Sequence, residues 1–251
     1  MIQWNCTMKP PPRPRRSALY LPASNPRAIE KARSLPADVI ILDLEDAVAP
    51  EAKEMARAAA LAAAREGGFG QREVAIRANA PDTPWGADDL AAIATSEADA
   101  VLVPKVSSPA DVDACHDALA AAPPQMQLWT MIETCGAVLR LDQIAARAAA
   151  TRLSLWIMGT NDLAKEMHAR LTPERTPFLP LLAQAIAAAR AHGLAVLDGV
   201  CNEFRDLGVF TTEAEQGRLY GFDGKSLIHP AQIDPANSVF GPSAAELADA
   251  R

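Results

Sequence analysis

The chain has 251 residues, 49% of them hydrophobic and 22% charged, with a formal net charge of −7. That length suits one large α/β domain with a sizeable core, and the acidic balance excludes general nucleic-acid binding unless a local basic patch overrides it. No stretch reaches the roughly 20 apolar residues of a membrane span, and the N-terminus lacks the apolar core of a signal peptide. Cys6, Cys115, Cys135 and Cys201 show neither CxxC pairing nor zinc spacing, so the expectation is a soluble, cytoplasmic protein with free thiols and neither a membrane nor a nucleic-acid partner.

Lys9, Arg13, Arg15 and Arg16 stand among prolines without interleaved aromatics, which reads as a solvated, extended arm over residues 1–14 or as a phosphate contact. From residue 15 the chain alternates short apolar runs with alanine-rich stretches. The runs are Ala18–Leu21, Val39–Leu44, Glu73–Arg77, Ala100–Val103, Leu128–Ile132, Leu155–Met158, Ala195–Leu197 and Gly224–Ile228. Most are nearly continuously apolar, as parallel strands covered on both faces are. The intervening segments 26–34, 51–65, 110–121, 137–150 and 179–192 carry apolar residues at helical spacing. Ser24-Asn25-Pro26 and Ser108-Pro109 are helix starts, and Gly193 is a stop. Eight such units predict a single (β/α)8 TIM barrel over residues 15–251. An open doubly wound sheet is the alternative, and Leu21-Pro22-Ala23-Ser24-Asn25 after the first strand is no dinucleotide fingerprint.

In a barrel, functional groups gather at the C-terminal ends of the strands. Those ends read Asp43-Leu44-Glu45-Asp46, Arg77-Ala78-Asn79, Pro104-Lys105, Glu133-Thr134, Gly159-Thr160-Asn161-Asp162 and Asp198-Gly199. Carboxylates crowding one mouth repel one another unless a cation sits among them, and oxygen ligands without a His/Cys cluster suit a hard ion such as Mg2+. Each residue also has a plain structural reading. Asp43, Asp46 or Asp198 can cap the next helix, Lys105 can be a solvated rim charge, and Arg77 an ion-pair partner. His116, His168 and His192 read as surface residues; His229 is either a structural hydrogen-bond partner or a general base.

The ordered stretches Arg15–Pro22, Ile41–Val48, Ile76–Asn79, Asp82–Gly86, Val103–Val106, Met131–Thr134, Gly159–Leu163, Leu197–Val200 and Gly221–Ile233 together resemble the citrate lyase beta-subunit-like group, which includes malyl-CoA lyases within the HpcH/HpaI aldolase superfamily. The resemblance implies a TIM barrel, often a homotrimer, and Mg2+ held by Glu133 and Asp162. It implies Arg77 as the catalytic arginine facing a thioester enolate oxygen, with Glu45 and Asp46 holding metal-bound waters. It places the substrate carboxylate on the backbone of Gly159, Thr160 and Asn161, and coenzyme A contacts at Arg16, Lys31 and Tyr20. The implied reaction is Mg2+-dependent C–C cleavage of a malyl-, citramalyl- or citryl-like CoA thioester into acetyl-CoA or propionyl-CoA and a 2-oxo acid.

Cys135-Gly136-Ala137 and Ser107 depart from the family's usual residues and put the acyl pocket in question. An equivalent of the lid aspartate of larger malyl-CoA lyases is not visible in the sequence. Three other readings stand beside the leading one: the lyase subunit of a citrate lyase complex acting on an acyl-carrier protein, an aldolase acting on free 2-oxo acids, and a non-catalytic binding barrel.

Overall fold

The structure, a computed structural model, describes residues 13–242. Most of the expected arm, Lys9 included, and the segment 243–251 lie outside the described residues. Eight strands, β1 (Ser17–Pro22), β2 (Val39–Asp43), β3 (Glu73–Arg77), β4 (Ala100–Val103), β5 (Gln127–Ile132), β6 (Leu153–Met158), β7 (Ala195–Asp198) and β8 (Gly224–Leu227), form one closed barrel. Each runs parallel to the next, and β8 closes onto β1. All eight expected runs are strands, with ends displaced by no more than two residues. The helices are α1 (Pro26–Ala32), α2 (Lys53–Glu66), α3 (Gly86–Ala94), α4 (Pro109–Ala118), α5 (Cys135–Val138), α6 (Leu141–Ala145), α7 (Thr160–Glu166), α8 (Leu179–Ala191), α9 (Leu207–Tyr220) and α10 (Ile233–Phe240).

Local chemistry sets the helix ends. The Asn25 side chain accepts the Ala28 N–H at the start of α1, and Ser108 and Asp111 form a reciprocal capping box on α4, each followed by a proline in the first turn. The expected continuous helix over 137–150 is instead α5, α6 and a 3-10 turn at Ala146–Ala149. Alanine favours helix but fixes no direction. The chain breaks where Leu139 projects into solvent and Arg140 leaves helical dihedrals.

The twofold alternation of strand side chains divides the core. Inward residues such as Val39, Ile41, Ala75, Leu102, Trp129 and Leu155 fill the barrel. Outward residues such as Ile40, Leu42, Ile76, Leu128 and Trp156 pack beneath the helices. Burying each large aliphatic side chain contributes about 1.5–3 kcal/mol.

The N-terminal end of the barrel is closed by charge pairs. The Arg15 guanidinium grips Glu73 at 2.5 and 2.7 Å, donates to Gln127 at 3.1 Å and lies 5.1 Å over the Trp129 ring. Arg16 holds Asp38 through two bonds of 2.8 Å, and Arg13 reaches Asp99 at 3.0 Å. Arg15 and Arg16, just before β1, are therefore a latch on the barrel floor rather than solvated charges, while Arg13 and Pro14 stay exposed.

A second ionic cluster pins α9 to the barrel. Asp198, at the end of β7, accepts from Lys225 at 2.9 Å and from Arg175 at 2.7 Å. Lys225 also reaches Glu213 on α9 at 2.7 Å and is fully buried, as is Asp198. Gly217 lets α9 approach, since a Cβ there would lie 2.8 Å from the Asp198 carboxylate. Burial alone would push the Asp198 carboxyl up, but Lys225 and Arg175 outweigh it and hold the group below its ordinary value. A depressed carboxylate contributes stability above its unfolded pKa of about 3.9, and loses it as pH falls through the folded value. Asp198→Ala should therefore cost about 3–5 kcal/mol at neutral pH, because it leaves buried cations short of a partner. The gap to wild type in urea unfolding should narrow in acid; a gap of equal size at pH 3 and pH 7 would refute the account.

Candidate active site

The alternation that fills the barrel carries its last inward positions to the mouth. Tyr20 follows Ala18, Asp43 follows Ile41, Arg77 follows Ala75, and Glu133 follows Met131. They line a cavity of ≈ 280 Å³ together with Gly159, Asn161 and Asp162.

Arg77 is its fixed cation. Nε and Nη2 donate to the two oxygens of Asp43 at 2.6 and 2.7 Å, a bidentate geometry that fixes the guanidinium plane. Tyr20 lies flat beneath it, ring centroid 4.8 Å from Cζ. Asp43 also accepts the N–H groups of Glu45 and Ala47, so it both caps the loop after β2 and anchors Arg77. Burial would lower the arginine's pKa, but Asp43 more than offsets this and keeps it charged. Nη1 meets Glu45 Oε2 at 2.8 Å and Asp46 at 3.3 Å. The Glu45 contact is one of charge without hydrogen-bond alignment, and Oε2 has no directed partner. Burial, against the pull of Arg77, pushes the Glu45 carboxyl up to about 8.

Opposite stands the carboxylate pair. Glu133 is buried; its Oε1 accepts the Lys105 N–H at 2.8 Å, while its Oε2 has no hydrogen-bond partner. Gly159 makes room for it, because a Cβ there would sit 2.5 Å from Oε2. Burial raises the Glu133 pKa, with Lys105 pulling the other way. Asp162, in the first turn of α7, is half-buried, and the Lys105 ammonium bridges the pair at 2.8 Å from Asp162 and 3.4 Å from Glu133. An orphaned buried carboxylate oxygen beside a second carboxylate, with a cation drawn between them, is a donor set that fits a divalent ion. No group of three His, Cys, Asp or Glu side chains among the described residues could hold a metal. The remaining coordination would fall to water and ligand, the habit of Mg2+.

The other expected site residues divide. Thr160 and Asn161 line the cavity, with the Asn161 amide exchanging hydrogen bonds with Asn202. The Gly159 N–H is spent on the Ile132 carbonyl at 2.9 Å, which corrects its expected role as a donor to substrate. Arg16 stands at the N-terminal end of β1, paired with Asp38, and does not join the mouth. Lys31 is exposed in the last turn of α1, outside the cavity lining. His229 is exposed, stacks on Phe204 at 5.2 Å and accepts the Ala231 N–H, which supports its structural reading. Ser107, one of the departures from the family pattern, shares a 2.9 Å hydroxyl contact with Thr134, the residue before the other departure at Cys135.

The sequence places Asp43 and Lys105 among the polar strand ends, with a cap and a rim charge as their plain readings, and assigns neither a partner. Met131 and Ser226, which also line the cavity, were not singled out. The period-two pattern of β5 would have placed Met131 inside.

Comparisons with known proteins agree with this geometry. Residues 16–230 match the HpcH/HpaI aldolase/citrate lyase family. A (3S)-malyl-CoA thioesterase from Cereibacter sphaeroides is 50% identical over 234 residues, covering 93% of this chain and 80% of the relative. An L-malyl-CoA/beta-methylmalyl-CoA lyase from the same species is 34% identical, covering 96% and 84%. A citrate lyase beta subunit from M. tuberculosis, complexed with oxaloacetate and magnesium, superposes with a TM-score of 0.78 at 29% identity, covering 91% of this chain and 98% of the other. The chain is thus a TIM-barrel member of the HpcH/HpaI aldolase/citrate lyase family.

Proposed function

We propose that this chain is a Mg2+-dependent enzyme acting on a malyl-type CoA thioester. The observation that carries the reading is Arg77, locked by Asp43 in the same cavity as the Glu133–Asp162 pair. Bound between Glu133 and Asp162, the metal would supply Lewis-acid polarisation of substrate oxygens. Asp43 occupies the Nε–Nη2 edge of Arg77. Nη1 is engaged by Asp46 and the Met131 sulfur, so the second N–H of Nη2 is the one left to meet negative charge developing on the thioester oxygen, with no reorganisation at the moment of reaction. Glu45, with its pKa raised to about 8 and its Oε2 undirected, takes a proton in its ionised form, a fraction that grows as the pH rises toward 8.

That oxygen becomes anionic in two reactions. One is thioester hydrolysis, in which water adds to the carbonyl and Glu45 accepts the water's proton. The other is the C–C cleavage expected from the sequence, in which ionised Glu45 takes the 3-hydroxyl proton, the C2–C3 bond breaks to leave the 2-oxo acid and a thioester enolate, and the enolate carbon takes up one proton from solvent to give acetyl-CoA. We place hydrolysis first, because the thioesterase relative is 50% identical and the lyase 34%; the sequence reading did not include it. The lyase stands second, supported by the family and by the oxaloacetate and magnesium of the M. tuberculosis neighbour. A homotrimer in the reducing cytoplasm belongs to the same proposal; no helix among the described residues is long and apolar enough to cross a membrane.

The deciding experiment follows both products from malyl-CoA with Mg2+. Hydrolysis releases free CoA thiol without glyoxylate, whereas cleavage releases glyoxylate and acetyl-CoA without thiol. Turnover of no thioester in a malyl, methylmalyl, citramalyl and citryl panel would end the proposal. Glu133→Ala and Asp162→Ala should each abolish Mg2+-dependent turnover while the circular-dichroism melt remains cooperative, and full activity in either would remove the metal assignment. Arg77→Lys keeps the charge but not the fork of donors, and should lower kcat by about 10²-fold or more, the scale of losing one oxyanion donor. A kcat within a few-fold of wild type would leave Arg77 as an ion-pair partner only.

A further inference from the structure

Lys105 is held in a backbone conformation that side chains avoid, with φ of +58°. That turn aims two groups at one target. Its N–H donates to Glu133 Oε1 at 2.8 Å, and its ammonium reaches the same oxygen at 3.4 Å and Asp162 at 2.8 Å. We propose that Lys105 is a built-in counter-cation: its ammonium holds the metal position between Glu133 and Asp162 in the metal-free protein and is displaced when the divalent ion binds. The proposal rests on the metal reading above.

Two carboxylates on adjacent strand ends, one of them buried, repel each other when nothing lies between them. The ammonium relieves that repulsion and keeps the pair aligned. It does not saturate the pair, since Glu133 Oε2 keeps no partner. A divalent ion carries twice the charge and takes carboxylate oxygens at about 2.0–2.1 Å, so it cannot share their midpoint with an ammonium. The lysine has an exit. Its side chain is 35% exposed, and a second cavity of ≈ 390 Å³, lined by Lys105 itself and by Asp82 and Asp111, opens beside it. The strained backbone stays in place while the flexible side chain swings between two acidic surroundings.

The test measures lysine acetylation by acetic anhydride with mass-spectrometric readout, with and without saturating Mg2+ and without substrate, alongside calorimetric Mg2+ titration. Lys105 should react slowly in the metal-free protein and several-fold faster with Mg2+, while exposed Lys31 and Lys165 hold constant as references. Mg2+ binding with unchanged or slower Lys105 acetylation would overturn the displacement and leave the metal reading standing. Absence of Mg2+ binding would overturn both. Lys105→Met should bind Mg2+ on the order of tenfold more tightly, a change of about 1.4 kcal/mol. Its metal-free melting temperature should fall, and Mg2+ should restore it. Lys105→Gly, which accepts the left-handed backbone without strain, carries the same expectation should the methionine variant fold poorly. A folded variant with unchanged or weaker Mg2+ affinity would count against the proposal.

Discussion

Closing eight parallel strands into a barrel leaves every second side chain facing a narrow interior, and much of the rest of this molecule follows from that constraint. The middle of each strand has room only for apolar packing, so Val39, Ile41, Ala75, Leu102, Trp129 and Leu155 meet there. The next inward position on three of these strands lies at the rim, where a polar group can be satisfied. Asp43, Arg77 and Glu133 arrive at one cavity because each sits two residues beyond an apolar inward neighbour. Their convergence needs no loop to fold in a special way, and it places the chemistry on the most rigid part of the chain.

The mouth is then an electrostatic problem with a particular solution. Asp43, Glu45, Asp46, Glu133 and Asp162 gather there against Arg77, held in place, and Lys105, whose side chain is partly exposed. The cations divide the work. Arg77 is spent largely on Asp43 and Glu45, which makes its plane immobile. Lys105 lies between Glu133 and Asp162, which have no other ion-pair partner among the described residues. The excess of negative charge favours a divalent cation over a monovalent one.

How much of this was legible beforehand depends on which physical signal each residue left. Most strands declared themselves as nearly continuous apolar runs, β8 with its Lys225 and Ser226 least so, and the caps at Asn25 and Ser108 as polar residues before proline; both signals are local. The site residues were legible as polar groups at strand ends. What stayed hidden depends on partners distant in sequence. Nothing local distinguishes Arg77 bound to Asp43, 34 positions away, from an arginine free at the rim. Nothing local shows that the Gly159 N–H is already taken, or that the alanine-rich segment 137–150 breaks at Leu139. The choice between hydrolysis and C–C cleavage left no local signature either, since the proposal draws on the same thioester oxygen and the same carboxylate pair for both.

The arginines at the two ends of the barrel show why charge alone misleads. Arg15, Arg16 and Arg77 all stand at the end of a strand in sequence. On the barrel floor each guanidinium is matched to a carboxylate, Arg15 to Glu73 and Arg16 to Asp38, and the result is a closed, structural layer. At the mouth the matching is incomplete. Glu133 Oε2 and Glu45 Oε2 are buried without a directed partner, and each such group carries a desolvation cost of about 1–3 kcal/mol that folding alone does not recover. A barrel shaped only for stability would have neutralised both, as its floor does. A ligand that supplies the missing partners recovers that cost on binding, so in this barrel the unsatisfied oxygens, more than the density of charge, mark the end where chemistry takes place.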